Sequence, residues 1–266
     1  MNSIASAVIA LSGLGLIFGA VLAWVSKKFH VFVDPRITKV TELLPGINCG
    51  ACGLAGCAGL AEAVVNKETE LAVCVACSPE NKKEIAAVLG VSAGDMARSN
   101  TLAAIIGCGG GTRCKNKFEY QGLKDCRVAA LTIGAHKECR YSCLEQGTCI
   151  EACPFGAITM QPEGVPKVIL ERCVGCKKCV SVCPRRIIYM VERKKKDVYI
   201  NCQSRDKGAQ VMKKCKVGCI ACGKCVKACP VNAIAIENNL AQIDYKKCIN
   251  CKKCVAVCPT KAIALR

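Results

Sequence analysis

Cysteines at fixed, short spacing are the residues of this chain that could do chemistry. The run Cys219, Cys222, Cys225, Cys229-Pro230 reads C-x2-C-x2-C-x3-C-P, and it recurs at Cys248, Cys251, Cys254, Cys258-Pro259 and at Cys173, Cys176, Cys179, Cys183-Pro184. This is the ligand run of bacterial iron–sulfur ferredoxins. Three thiolates two residues apart wrap one cubane. The fourth points to the neighbouring cluster, and the proline ends the loop. The implied chemistry is one-electron transfer. In such paired units the fourth cysteine crosses over, so Cys229 is expected with Cys248, Cys251 and Cys254, and Cys258 with Cys219, Cys222 and Cys225.

A further run is damaged. Cys143, Cys149 and Cys153-Pro154 keep the spacing, but Gln146 stands where the middle cysteine belongs. Crossover places Cys153 with Cys173, Cys176 and Cys179, and Cys183 with Cys143 and Cys149. A non-cysteine ligand, a three-iron cluster or rescue by Cys139 are the alternatives at this atypical site. Two more groups precede it. Cys49, Cys52, Cys57 and Cys74 follow C-x2-C-x4-C-x16-C, with glycines at 50, 53, 56 and 59 that let backbone approach a cluster. Cys108, Cys114, Cys126 and Cys139 form a looser set of four. Cys77, Cys202 and Cys215 fall outside every group. The stretch Gly107–Gly111 lacks the G-K-[ST] ending of a phosphate loop. The sum is about six clusters, mostly [4Fe–4S].

Composition supports clusters over the alternatives. The chain has 26 cysteines in 266 residues and only two histidines, His30 and His136. Residues as close as C-x2-C-x2-C pair poorly as disulfides, and zinc sites favour paired C-x2-C knuckles, often with histidine. One Trp, five Tyr and five Phe make a thin apolar core, which bound metal would cross-link. The formal charge of +18 invites a nucleic-acid reading. Six clusters at about −2 each would bring roughly −12, since metal-bound thiols are deprotonated. Stacking platforms for bases are also missing. No nucleic-acid partner is expected.

The elements that position these cysteines begin with an anchor. Ile4 to Val25 carries no charge and would span about 33 Å as a helix, enough for a bilayer core. Lys27 and Lys28 follow it, and the positive-inside rule places the bulk of the chain in the cytoplasm. The expected class is α+β: one N-terminal transmembrane helix, a small mainly helical iron–sulfur domain, then tandem two-cluster ferredoxin-like domains. The divisions are an anchor over 1–30, an N-terminal cluster domain over 31–91 and a linker with extra cysteines over 92–142. Ferredoxin-like units cover 143–190 and 219–266, joined by a connecting strand pair over 191–218. Ser78-Pro79 starts a helix that Gly90 stops. Hairpins are expected at 157–170 and 233–244, the second turning at Asn238-Asn239. Ile187 to Asn201 reads as a strand pair turning at Lys194–Lys196.

Together these features resemble the B subunit of the Rnf complex, the membrane-bound, ion-pumping ferredoxin–NAD oxidoreductase. The resemblance rests on the anchor ending WVSKKF, on CGACGLAGC with its distant Cys74, and on the tandem ferredoxin units. The segments CKNKFEYQGLKDCRVAA and KECRYSCLEQGTC are similar to the longer form found in anaerobes. Gln146 departs from the family's cysteine. The resemblance implies a subunit of a translocase in the inner (cytoplasmic) membrane, single-pass, with its clusters on the cytoplasmic side. It implies soluble ferredoxin as electron donor and other Rnf subunits as membrane partners. This chain shows no fingerprint for a flavin, hydride or substrate site and reads as the wire. A wire in a different membrane oxidoreductase or an electron-bifurcating complex is the alternative.

Overall fold

The computed structural model describes residues 2–29, 34–91, 102–193 and 197–265. Helix α1 (Asn2–Lys28) is apolar and largely exposed from Ala5 onward, with Lys27 and Lys28 in its last turn. Its Ala5–Lys28 segment is long and apolar enough to cross a membrane. Exposed Leu11, Leu16, Ile17 and Phe18 find no protein core, and lipid is the solvent that would satisfy them.

Three helices then form a small apolar body. Helix α2 (Pro35–Leu43) starts at Asp34, whose side chain accepts from the Arg36 amide, with Pro35 in the first turn. No helix is among the expectations for this stretch, although Asp-Pro is a helix-start signal. Helix α3 (Gly56–Val65) is followed by a 3-10 turn at Leu71–Val73. Helix α4 (Pro79–Leu89) begins at the Ser78 cap and ends at Gly90 in the left-handed region, φ 67°, as its sequence predicts. Val40, Leu60, Leu71 and Ile85 are the buried centre of this body.

The remainder is a repeated plan of two-stranded antiparallel sheets. In the first repeat, strand β1 (Leu102–Ile106) leads through helices α5 (Cys126–Leu131) and α6 (Thr148–Glu151) to the hairpin β2 (Ile158–Met160) and β3 (Pro166–Val168). Helix α7 (Lys178–Val182) follows, and β4 (Ile188–Glu192) returns to pair with β1. In the second, β5 (Val198–Ile200) leads through α8 (Gly208–Lys214) and α9 (Lys224–Lys227) to the hairpin β6 (Ile234–Glu237) and β7 (Leu240–Ile243). Helix α10 (Lys253–Ala256) follows, and β8 (Ile263–Leu265) pairs with β5. Asn238 and Asn239 turn the second hairpin with φ of 48° and 62°, a conformation asparagine tolerates.

Two sequence expectations change. Residues 102–106 are a strand, not linker: Ala103 to Ile106 are buried, and an isolated apolar run has no local partner to announce it. The expected pairing within 187–201 does not form, because β4 joins β1 and β5 joins β8. Each unit thus closes on its own outer strand pair. The expected turn at Lys194–Lys196 lies outside the described residues.

Candidate iron–sulfur relay

In the second unit, a cavity of about 360 Å3 is lined by Cys219, Cys222, Cys225 and Cys258. A second, of about 340 Å3, is lined by Cys229, Cys248, Cys251 and Cys254. The crossover arises locally. Each short helix following a C-x2-C loop presents its third cysteine inward, and the Cys-Pro that ends it aims the fourth sulfur at the other cavity. Backbone amides point at these sulfurs: Ala233 donates to Cys229 Sγ at 3.2 Å and Asn250 to Cys248 Sγ at 3.4 Å. Such donors stabilise thiolate and tune a cluster's potential. Burial pushes Cys225 up to about 11, with Cys219, Cys222 and Cys258 adding repulsion. Thiols crowded this way are suited to being metal-bound.

The first unit repeats this with one change. Cys153, Cys173, Cys176 and Cys179 are near one another. Burial first, then the Cys173, Cys176 and Cys153 sulfurs, raises Cys179 to about 12. The other cavity, about 350 Å3, is lined by Cys143, Cys149 and Cys183, and by Cys126 from α5. Order along the chain groups Cys126 with Cys108, Cys114 and Cys139; the structure separates it from them. Asp125 caps α5 by accepting from the Arg127 amide at 2.6 Å. The Cys126 amide donates to Thr148 Oγ1 at 2.7 Å. Burial, then Cys126 and Cys183, raises Cys149 to about 12.

Cys108, Cys114 and Cys139 do converge, joined by Cys215 around a cavity of about 390 Å3. Backbone pairing brings them together. Lys115 donates to Lys214 O at 2.8 Å and Lys216 to Arg113 O at 3.2 Å, setting Cys114 opposite Cys215. Glu138 donates to Lys115 O at 2.9 Å, drawing in Cys139. Hydrogen bonds from the Cys139 and Cys215 thiols hold Cys114 low, and those two are correspondingly raised. A Cβ on Gly110 would lie 3.5 Å from both Cys108 Sγ and Cys215 Sγ, so the glycine run there clears space beside sulfur. Buried Lys137 lies close by, its ammonium 2.5 Å from Glu145 and 3.1 Å from Gly111 O.

Cys202 is also at this cavity's edge. Its sulfur accepts from the Ser204 amide at 3.4 Å, as Cys108 accepts from Gly110 and Cys143 amides at 3.4 Å. In the N-terminal body, Cys52, Cys57, Cys74 and Cys77 pack together. The Asn48 side chain accepts from the Cys57 amide at 2.7 Å. The Cys77 thiol hydrogen-bonds to Cys74 and lowers it to about 6. An open groove of about 670 Å3 by β1 and β3 touches Cys108 alone among the cysteines. Among the described residues, no three His, Cys, Asp or Glu side chains close on a single point as one ion would require. The cysteines instead surround cavities, and those with irregular sets match the size of those with intact runs.

The fold and the cysteine cavities define a membrane-associated iron–sulfur protein that carries [4Fe–4S] clusters for electron transfer. The family "4Fe-4S dicluster domain" matches residues 138–187 and 218–262, and "Putative Fe-S cluster" matches 44–76. The B subunit of the Na(+)-translocating ferredoxin:NAD(+) oxidoreductase complex of Acetobacterium woodii is 42% identical over 93% of this chain and 73% of its own length. The B subunit of the ion-translocating oxidoreductase complex of Methanosarcina acetivorans is 40% identical over 93% and 91%. That of the proton-translocating ferredoxin:NAD(+) oxidoreductase complex of Clostridium ljungdahlii is 42% identical over 92% and 85%. The chain belongs to this family, the B subunits of the ion-translocating oxidoreductase (Rnf) complexes.

Proposed function

We propose that this chain is the electron relay of an ion-translocating ferredoxin:NAD oxidoreductase, taking electrons from reduced ferredoxin and delivering them to partner subunits in the membrane. The single observation that carries it is the set of four cysteine-lined cavities of about 340 to 390 Å3, preceded by the Cys49–Cys74 group. A [4Fe–4S] cluster, when bound, supplies reversible one-electron storage. The chain's part is to hold it by thiolate, aim backbone amides at sulfur and keep water out. Helix α1 anchors the relay as a single span, and Lys27 and Lys28 favour a cytoplasmic location for everything after it. The hydride and substrate chemistry falls to other subunits in this reading.

The test is anaerobic purification of the full chain. About six clusters predict roughly 24 iron atoms and as much acid-labile sulfide, and reduction by reduced ferredoxin. Fewer than about 12 iron atoms would exclude the six-cluster version. Colourless protein with zinc and no sulfide would exclude the relay itself.

A further inference from the structure

We infer that Cys126 and Cys215 are cluster ligands: Cys126 completes the set Cys143, Cys149, Cys183 in place of Gln146, and Cys215 completes the set Cys108, Cys114, Cys139. This inference rests on the iron–sulfur reading above.

The loop around Gln146 retains the shape of a ligand loop. In the intact runs, the residue before the middle cysteine is left-handed: Gly175 has φ 71°, Ala221 53° and Asn250 59°. The residue after it is left-handed too, at Lys177, Gly223 and Lys252. Glu145, with φ 64°, and Gly147, with φ 80°, flank Gln146 in the same way. The backbone is therefore built for a ligand here, but the side chain is turned away. Gln146 Nε2 donates to Leu144 O at 3.0 Å, within its own loop. Cys126 lines the cavity instead, fixed by the Thr148 hydroxyl at the start of α6, the helix that presents Cys149. A thiolate from a neighbouring helix replaces one from the loop.

Removing Cys126 from the upstream set leaves three cysteines there, and Cys215 supplies the fourth. It stands opposite Cys114 across a backbone bridge and interacts electrostatically with Cys108. Cys202 is the competing candidate. It lines the same cavity, but its sulfur accepts from the Ser204 amide at 3.4 Å and it also belongs to the buried cluster that holds Cys219. Cys202 thus lies between this set and the second ferredoxin unit.

Neighbouring sets lie side by side: the Cys143 amide donates to Cys108 Sγ at 3.4 Å, and Cys108, Cys143, Cys149, Cys173 and Cys179 belong to one buried cluster. From Cys108 the line continues through Cys202, which lines the same cavity, to Cys219, with which Cys202 shares a second buried cluster. The set holding Cys215 is the junction between the two ferredoxin units.

The test compares full-length variants, purified anaerobically, by iron and sulfide content and by EPR. Cys126→Ser should lose between one and four of about 24 iron atoms, either as a three-iron signal or as loss of one cluster. Adding Gln146→Cys in that background should restore the iron and the four-iron spectrum, which a folding defect would not allow. Cys215→Ser should remove a different cluster, and Cys202→Ser none. Wild-type iron and spectra in Cys126→Ser, or no rescue by Gln146→Cys, overturn the first assignment. Loss in Cys202→Ser with none in Cys215→Ser overturns the second. An iron-free, zinc-containing wild type overturns the iron–sulfur reading itself. An iron-replete wild type with silent Cys126→Ser and Cys215→Ser variants overturns the ligand assignment alone.

Discussion

The amide of Cys126 donates to the hydroxyl of Thr148 at 2.7 Å, across 22 residues of sequence. That bond ties the first residue of α5 to the first residue of α6, so two cysteines of one cavity, Cys126 and Cys149, are held by helices that share a contact. Thr148 is buried, and its hydroxyl in turn meets Asp125 Oδ1 at 3.3 Å.

Thr148→Val keeps the shape and deletes the acceptor. An amide left without a partner costs about 1–3 kcal/mol. The expected outcome is a lower thermal midpoint and faster loss of one cluster's iron to a chelator, with the other clusters unaffected. Thr148→Ser should behave as wild type. Equal chelation rates in the valine variant would show the bond to be dispensable.

Lys137 is the most buried cation described, with 1% of its side chain exposed, and Glu145 is its partner at 21%. Lys137→Met would strand the Glu145 carboxylate beside the Cys108–Cys215 set. Because Glu145 is partly solvated, the cost should be about 2 kcal/mol, less than for a fully buried pair. Loss of the cation should also lower the potential of that cluster by tens of millivolts, on the order of 50 mV. Adding Glu145→Gln should recover much of both. A potentiometric EPR titration of the three proteins decides it.

Gly111 has φ +48°, and a Cβ there would collide with the backbone carbonyl oxygen of Glu163. The same carbonyl accepts from the Thr112 amide at 2.8 Å. Gly111→Ala therefore cannot be relieved by a side-chain rotation. The loop carrying Cys108 and Cys114 must shift, and the variant should lose that cluster's iron along with roughly 2 kcal/mol or more of stability. Gly134→Ala, also at positive φ but with open space around it, is the control and should cost less.

His136 is nearly fully buried, stacked on Tyr120 with ring centroids 5.8 Å apart. Burial first, then Lys137 and Arg185, holds its imidazole below the ordinary value. The folded chain thus binds fewer protons there than the unfolded chain. This contribution to stability is present above about pH 6.5 and is lost as pH falls below it. Thermal midpoints of wild type should fall more steeply from pH 7 to 5.5 than those of His136→Phe. Parallel curves would assign the acid sensitivity to other groups.

Much of this architecture is legible in order. The Ser78-Pro79 start and Gly90 stop of α4, and the Asn238-Asn239 turn, are local signals because backbone conformation there depends on nearest neighbours. The cavity pairings of Cys258 with Cys219 and of Cys229 with Cys248 follow from one repeated local loop. The helix at Pro35–Leu43 has a local signal too, its Asp-Pro start, but one short turn of cues is easily outweighed by the polar residues after it. Strand β1 has none, since five apolar residues acquire an identity only against β4, more than 80 positions later.

What the amino-acid sequence determined by itself is the chemistry: thiolates at cluster spacing, behind a helix apolar enough for a bilayer. Short-range spacing suffices for that, because a C-x2-C loop folds around its own residues. Tertiary structure alone decided which cavity Cys126 and Cys215 line. Each is delivered by contacts between distant segments, the Thr148 hydroxyl in one case and the Cys114 backbone bridge in the other. Spacing along the chain carries no information about a neighbour that arrives through space.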